Sequence, residues 1–166
     1  MRSMRKHIIG VMGPGDGATE SDRAQARELG KAIASRGWVL LTGGRNIGVM
    51  EAVNQGAKEA GGLTIGILPD SDASRLSDCI DLPIFTDLGN ARNNINVLSS
   101  DVVVACGMGL GTASEVALAL KNGKSVVLLN VDLITQDFFQ KFAINIAVAQ
   151  TAAEAIEIVE ALIEPQ

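Results

Sequence analysis

Residues 107–115 bring three glycines, a hydroxyl and a carboxylate together directly after the apolar run 102–105. Backbone N–H groups of a glycine loop that leads into a helix bind anions such as phosphate, because the positive end of the helix dipole lies there. The glycine spacing is GxGxG, which differs from the GxGxxG of dinucleotide-binding loops. The candidate ligand-binding residues in this stretch are Gly107, Met108, Gly109, Gly111, Thr112 and Glu115.

Residues 112–115 also match a capping box, in which a threonine and a glutamate satisfy the free N–H groups at the start of a helix. In that interpretation Thr112 and Glu115 stabilise the helix by about 1 kcal/mol and need no ligand. In the other interpretation Thr112 and the glycine N–H groups hold a phosphate, and Glu115 lies beside the sugar or head group. The sequence favours neither interpretation of Glu115.

Two further glycine-rich segments follow predicted strands, at residues 13–17 and 43–48. A carboxylate close to a phosphate is costly unless cations lie nearby, and Arg45 and Arg92 are placed to supply that charge. A βα turn often needs glycine for its geometry alone, so each segment by itself indicates little. Together they predict a binding site for a small anionic, phosphate-bearing ligand. The candidates from these segments are Gly13, Gly15, Gly43, Gly44, Arg45 and Gly48, and Arg92 joins them as the second cation.

Apolar, β-branched runs alternate with helical patterns along the whole chain. The runs predict strands at 8–12, 38–42, 64–68, 82–85, 102–105, 125–129 and 144–148, and the helical patterns cover 21–35, 47–60, 112–122 and 151–163. This alternation predicts an α/β fold with a doubly wound, Rossmann-like parallel sheet of about seven strands, in a single domain over residues 1–166. Parallel strands end at one edge, so the three glycine loops line one crevice there. Residues 69–81 are polar and predict a mobile surface loop.

The composition argues against several classes of partner. The net charge is −5 and aromatic residues make up 3% of the chain, so neither a basic face nor a base-stacking platform for nucleic acid is expected. No apolar stretch approaches the length of a membrane span. Cys79 and Cys106 have no CxxC spacing and no histidine partners, which predicts reduced thiols, a cytoplasmic protein and no metal site.

Several segments taken in order resemble the "lysine decarboxylase-like" LOG family. They are Gly43-Gly44, Gly48-Val49-Met50, residues 59–69, Arg92 and residues 109–115. The characterised enzymes of that family are phosphoribohydrolases that cleave ribose 5′-phosphate from adenine nucleotides. The resemblance implies that Arg92 and Glu115 are catalytic residues if this chain is a hydrolase.

Within that family, the run Gly43-Gly44-Arg45, residues 48–52 and the triplet Ala91-Arg92-Asn93 resemble the branch formed by molybdenum cofactor carrier proteins and uncharacterised bacterial relatives. Arg45 stands where the enzymes usually have glycine or alanine, Asn93 replaces the lysine that follows their arginine, and Met108 departs from their PGG start. The resemblance implies that the ligand is the molybdenum cofactor, a pterin with a terminal phosphate. Its metal is held by the pterin dithiolene, so no protein ligand is implied.

Three functions follow from these observations. The first is a carrier of molybdenum cofactor, with molybdenum enzymes or cofactor-synthesis proteins as partners. The second is a nucleoside 5′-monophosphate phosphoribohydrolase, and the third is a nucleotide-binding sensor that takes an AMP-type ligand. A homo-oligomer, dimer or tetramer, is expected from the family resemblance and from the apolar faces of the helices after the second and fifth strands. Cys106 lies beside the third glycine loop, either as a buried apolar side chain or in contact with the cofactor.

Overall fold

Seven strands and six α-helices alternate along residues 5–164, the part of the chain that the computed structural model describes. The strands are β1 (Ile8–Met12), β2 (Val39–Thr42), β3 (Leu63–Leu68), β4 (Leu82–Phe85), β5 (Val102–Cys106), β6 (Ser125–Leu129) and β7 (Ile146–Ala149). The helices are α1 (Glu20–Ser35), α2 (Gly48–Glu59), α3 (Arg92–Ser99), α4 (Leu110–Lys121), α5 (Leu133–Gln140) and α6 (Ala152–Ile163), and a 3₁₀ turn (Gly89–Ala91) precedes α3.

All seven strands form one parallel sheet in the order β4-β3-β2-β1-β5-β6-β7. The strand order runs outward in one direction from β1 and in the other from β5, so the switch point lies between these two neighbours. In open α/β sheets, ligands bind at the carboxyl ends of the strands that flank this point. The predicted doubly wound, Rossmann-like α/β sheet is therefore confirmed.

Helices cover both faces of the sheet, which explains why the central strands are apolar at every position. In β5 the side chains of Val102, Val104 and Cys106 pack with buried residues of α1, α2 and α6. Those of Val103 and Ala105 point to the opposite face and pack with α3, α4 and α5. All five side chains of this strand are buried, so β5 is a rigid base for the loop that follows it.

Two helices were missed by the sequence analysis. Helices α3 and α5 have eight residues each, too few to show a clear helical period, and α3 contains three asparagines, which favour helix interiors only weakly.

The last strand was predicted to begin two residues too early. Ile144 is fully exposed and precedes β7, so it takes no part in the sheet.

Residues 69–81 have no regular structure, as predicted, but backbone hydrogen bonds attach them to the second glycine loop. The Ser77 N–H donates to the Gly44 carbonyl at 2.9 Å, and the Asn46 N–H donates to the Arg75 carbonyl at 3.0 Å. An isolated antiparallel bridge pairs Arg45 with Leu76. This segment therefore supports the loop that carries Arg45, which the description of a mobile loop did not anticipate.

One of the two helix faces from which a homo-oligomer was expected, that of α2, is not exposed. Val49 and Val53 of α2 are fully buried inside the protomer, so the apolar face of this helix is already covered. Large apolar side chains are instead exposed on α5, where Leu133, Ile134 and Phe138 are each more than half exposed. A homo-oligomer stays a prediction.

Within residues 5–164 no helix is long and apolar enough to cross a membrane.

Close packing of α1 on α2 gives the first test of this fold. A Cβ atom on Gly30 would lie 2.1 Å from the Val53 carbonyl oxygen, whereas one on Gly111, also within a helix, would meet no atom within 4 Å. Alanine favours helices over glycine by up to about 1 kcal/mol. We nevertheless expect Gly30→Ala to lower the free energy of unfolding by about 1–3 kcal/mol, because the backbone of α2 must move. The control Gly111→Ala should be neutral or stabilising in urea denaturation, and an equally stable Gly30→Ala would contradict this packing.

Candidate functional site

A cleft of about 320 Å³ lies at the carboxyl edge of the sheet, where the loops after β1, β2 and β5 meet the start of α4. This volume is at the lower end of the range for small-molecule sites. The predicted residues that line it come from all three glycine loops and from α3 and α4. They are Gly13, Gly15, Gly43, Arg45, Arg92, Asn93, Met108, Gly109, Gly111, Thr112 and Glu115.

Three predicted residues do not line the cleft. Gly44, Gly48 and Gly107 all have positive φ angles, of 75°, 57° and 72°, and each turns the chain behind the cleft surface. At Gly107 a side chain would also collide with the Asp22 carboxylate, whose Cγ lies 2.6 Å from the Cβ position. These glycines determine the path of the loops, and residues beside them, such as Gly43, Arg45 and Met108, line the cleft.

The loops approach one another so closely that their backbones are in contact. A Cβ on Gly13 would lie 2.5 Å from the Cys106 carbonyl oxygen at the end of β5. A Cβ on Gly48 would lie 2.4 Å from the Pro14 carbonyl oxygen, and the Val49 N–H donates to that same oxygen at 3.0 Å. The first glycine loop is therefore held between the end of β5 and the start of α2.

The capping-box interpretation of Thr112 and Glu115 is wrong. Helix α4 begins at Leu110 with Gly109 as its N-cap, and no side chain caps it. Gly109 is extended, with φ −151°, and its carbonyl accepts the first helical hydrogen bond from the Ala113 N–H at 2.8 Å. Thr112 therefore lies inside the first turn. The N–H groups of residues 110–112 have no partner within the helix, and they lie at the cleft.

Buried polar atoms without partners surround the cleft. The Thr112 hydroxyl makes no hydrogen bond although the residue is only 2% exposed. The Nε atoms of Arg45 and Arg92 are likewise buried and without partners. Buried polar groups in folded proteins are nearly always hydrogen-bonded, so these three atoms are available to a ligand or to water that enters the cleft.

Arg92 is fixed in place by the carboxyl ends of two strands. Its Nη1 atom donates to the carbonyls of Gly43, at 2.9 Å, and Ile67, at 2.6 Å. Burial lowers the pKa of this guanidinium, while the nearby Glu115 carboxylate raises it. The two carbonyl contacts orient the side chain and leave its other N–H groups for the cleft.

Glu115 is the one acidic side chain in the cleft wall among residues 5–164. It accepts a hydrogen bond from Asn96 Nδ2 at 3.0 Å. Burial raises the pKa of Glu115 to about 7, and the Asn96 hydrogen bond and the positive charge of Arg92 oppose that rise only in part. At neutral pH its carboxyl group is therefore present in both protonation states.

Asn93 and Asn96, both on α3, tie this helix to α4. Asn93 Nδ2 donates to Ser114 Oγ at 3.0 Å, next to the cleft. Asn96 is fully buried, and its Oδ1 atom has no partner. Asn96 was not among the candidates because α3 itself was not predicted. Seven further residues of the cleft wall were not named singly, and three of them, Pro14, Gly17 and Leu110, belong to the predicted glycine loops. The other four are Val11, Met12, Met50 and Asn90.

Cys106 belongs to the core and does not line the cleft. Its Sγ donates to the Asp22 carbonyl at 3.4 Å, and burial raises the pKa of the thiol to about 12. Of the two roles open for this residue, the structure favours the buried apolar side chain. Among residues 5–164, no group of three His, Cys, Asp or Glu side chains is placed to hold a metal ion.

Comparison with known proteins identifies a family and two close structural relatives. The model of the SLOG cluster4 family matches residues 6–158. The molybdenum cofactor binding protein of Rippkaea orientalis is 60% identical, with a TM-score of 0.96 over 98% of this chain and 100% of that chain. The molybdenum cofactor carrier protein of Chlamydomonas reinhardtii is 54% identical, with a TM-score of 0.90 over 95% of this chain and 98% of that chain.

A more distant relative is an enzyme. The cytokinin riboside 5′-monophosphate phosphoribohydrolase of Mycobacterium tuberculosis is 36% identical over 107 residues, which cover 59% of this chain and 54% of that protein. The match thus spans little more than half of the enzyme's length. The resemblance to the LOG family and to its carrier branch is confirmed by these findings.

The raised pKa of Glu115 makes the stability of the protein depend on pH. The folded state holds the proton with a pKa of about 7, against an ordinary value of 4.5, so folding takes up a proton between these pH values. The protonated carboxyl group of Glu115 favours the folded state more than the charged form does. This contribution to the free energy of unfolding is complete below pH 4.5 and is lost as the pH rises through 7. We expect Glu115→Gln to gain up to roughly 3 kcal/mol in unfolding free energy, relative to wild type, between pH 4.5 and 8. Urea denaturation at several pH values checks this, and a difference that does not vary with pH would contradict it.

Proposed function

From the membership of this chain in the SLOG cluster4 family, we propose that it is a carrier protein that binds the molybdenum cofactor. The terminal phosphate of the cofactor binds in the cleft between the glycine loops. The relatives that match nearly the whole chain at 54–60% identity, named for binding or carrying this cofactor, support the proposal.

The observation that carries the proposal is the group of unpartnered buried donors in the cleft. The Nε atoms of Arg45 and Arg92 and the hydroxyl of Thr112 all lack hydrogen-bond partners. A buried donor without a partner lowers the stability of the protein by about 1–3 kcal/mol. A bound phosphate accepts charge-assisted hydrogen bonds from such donors, and this offsets the loss. The N–H groups at the start of α4 add a helix-dipole site for the same anion.

The chain needs only to bind and shield such a cargo. The pterin dithiolene carries the molybdenum and supplies its redox chemistry when the cofactor is bound. Arg45 and Arg92 neutralise the charge of the anionic cargo, and the glycine loops let the backbone approach it. In this proposal the loaded carrier delivers the cofactor in the cytoplasm to molybdenum enzymes or receives it from cofactor-synthesis proteins.

A second candidate function is the phosphoribohydrolase activity of the LOG family. It is favoured by one observation, which is that Arg92 and Glu115 lie in the same cleft. Hydrolysis of a glycosidic bond needs a carboxylate that stabilises positive charge on the sugar. Glu115 is buried, and burial raises its pKa to about 7, so it carries that charge only part of the time at neutral pH. A nucleotide sensor would use the same cleft to bind AMP without turnover.

Removal of a positive charge tests the anion site. We expect Arg45→Ala to weaken binding of the molybdenum cofactor about ten- to a hundredfold, because a hydrogen bond to a charged group contributes roughly 1.5–3 kcal/mol. Equilibrium binding measured by pterin fluorescence checks this. Arg5→Ala, which removes an exposed arginine paired with Asp101, is the matched control and should leave affinity unchanged. Equal affinities for Arg45→Ala and wild type would contradict the assignment.

Thr112→Val separates a ligand-binding hydroxyl from a structural one. The change keeps the shape of the side chain and removes a buried hydroxyl that has no partner. We expect the free protein to be as stable as wild type or more stable, because no hydrogen bond is lost. Cofactor binding should weaken about tenfold or more. Loss of stability together with unchanged affinity would show that the hydroxyl serves the fold.

Glu115→Gln distinguishes the carrier from the hydrolase. In a carrier the change should leave cofactor affinity unchanged or increase it, since a negative charge near the phosphate is removed. In a hydrolase it should abolish turnover of nucleoside monophosphates while substrate still binds, because the charge is needed only in the transition state. We expect no measurable AMP hydrolysis by wild type in an assay for ribose 5-phosphate. Release of ribose 5-phosphate by wild type, lost in the variant, would refute the carrier function.

A further inference from the structure

We propose that Met12, Met50 and Met108 form a thioether wall that receives a flat heterocyclic ring in the cleft. The site then takes a phosphate ester whose other end is a planar heterocycle, and it discriminates against a sugar phosphate that lacks the ring. The inference rests on the proposed function for the phosphate end of the ligand, and it assigns residues to the opposite end.

The distribution of methionine in the chain is the first observation. All three methionines among residues 5–164 line the cleft. They come from three separate elements: Met12 ends β1, Met50 lies in the first turn of α2, and Met108 lies between β5 and α4. Elsewhere the core is built mainly from Val, Ile, Leu and Ala. Methionine is therefore concentrated at this one place.

The second observation is that the described part of the cleft wall contains no aromatic side chain. Proteins that bind planar heterocycles commonly stack them on aromatic rings. Here the apolar part of the wall consists of the three methionines with Val11, Pro14 and Leu110, and Leu110 is 95% exposed. The thioethers are thus the polarisable groups available to a ring.

The thioethers lie beside the groups that bind the anion. A Cβ on Gly43 would lie 2.8 Å from Met50 Sδ and 2.3 Å from Arg92 Nη1, so both side chains cover the same glycine. Met108 and Thr112 line the same cleft, one just before α4 and the other in its first turn. A ligand whose phosphate contacts Arg92 can therefore place its next atoms against the sulfur of Met50.

The chemistry of the thioether suits this role. Methionine sulfur makes favourable contacts with the edges and faces of aromatic rings, and its unbranched side chain adapts to the shape of the ligand. Met12 is 2% exposed and Met50 is 8% exposed, whereas Met108 is half-buried. Met12 thus forms the floor of the cleft. Met50 and Met108 form the sides that a ring contacts, and they are the positions to vary.

The test compares ligands with and without a ring. The variants are Met50→Gln and Met108→Gln, which keep side-chain length and replace the thioether with a polar amide. Leu98→Gln is the matched control, because Leu98 is a half-exposed apolar residue of α3 that does not line the cleft. The probes are isolated molybdenum cofactor, AMP and ribose 5-phosphate, with affinities measured by calorimetry and by competition.

We expect each glutamine variant to bind the cofactor and AMP at least tenfold more weakly than wild type. Binding of ribose 5-phosphate should change less than twofold, and Leu98→Gln should bind all three probes as wild type does. Met50→Leu and Met108→Leu keep an apolar wall and should retain most of the affinity. Thermal unfolding of each variant shows whether it is folded, and the leucine variants supply the comparison if a glutamine variant is not.

The remaining outcomes separate this proposal from the carrier function. An equal loss for all three probes, or no loss for any, would overturn the thioether wall. If wild type and the methionine variants bind the cofactor equally well, the result supports the carrier function and contradicts the thioether wall. If wild type binds AMP but not the cofactor, and the variants no longer bind AMP, the result supports the thioether wall and contradicts the carrier function. Binding of none of the probes by wild type would overturn both.

Discussion

The first glycine loop contacts the end of β5 and the second glycine loop backbone to backbone at the β1–β5 switch point, and the shape of the cleft depends on those contacts. Gly13 lies against the Cys106 carbonyl, and Gly48 lies against the Pro14 carbonyl, at distances that leave no room for a Cβ. Because no side chains separate the loops, the ends of three strands and the start of α4 converge on one small volume. The fold supplies the crevice, and the glycines let the backbone line it.

Charge in the cleft wall is partly balanced before any ligand binds. Arg45 and Arg92 bring positive charge, and Glu115 offsets part of it with a carboxyl group whose pKa is raised to about 7 by burial. An anion that enters competes with Glu115 for the charge of Arg92, and protonation of Glu115 removes that competition. Asn96 holds this carboxyl through a single hydrogen bond. An amide has both a donor and an acceptor, so it can bond either form.

Much of the fold and part of the site follow from local sequence patterns. Short apolar, β-branched runs made β1, β4 and β6 predictable to the residue, although β4 lies at the edge of the sheet and its residues are exposed. The glycine loops were predictable from their place after β1, β2 and β5. Residues that depend on α3 were harder to place. Its sequence spans only eight residues and contains three asparagines, so the helix was not predicted and Asn96 was missed, although Arg92 at its first position was named as a candidate cation. The start of α4 was also misplaced, because the T-x-x-E pattern does not show that the extended Gly109 already caps the helix.

The cargo itself is the most direct test of the carrier function. The full-length protein, purified under reducing conditions from cells that synthesise molybdenum cofactor, is denatured and oxidised, and the released pterin is measured by fluorescence alongside molybdenum and nucleotides. We expect pterin and molybdenum in equal amounts, approaching the amount of protein chain, and their loss from Arg45→Ala purified in parallel. Release of AMP or another nucleotide in place of pterin and molybdenum would contradict the carrier function.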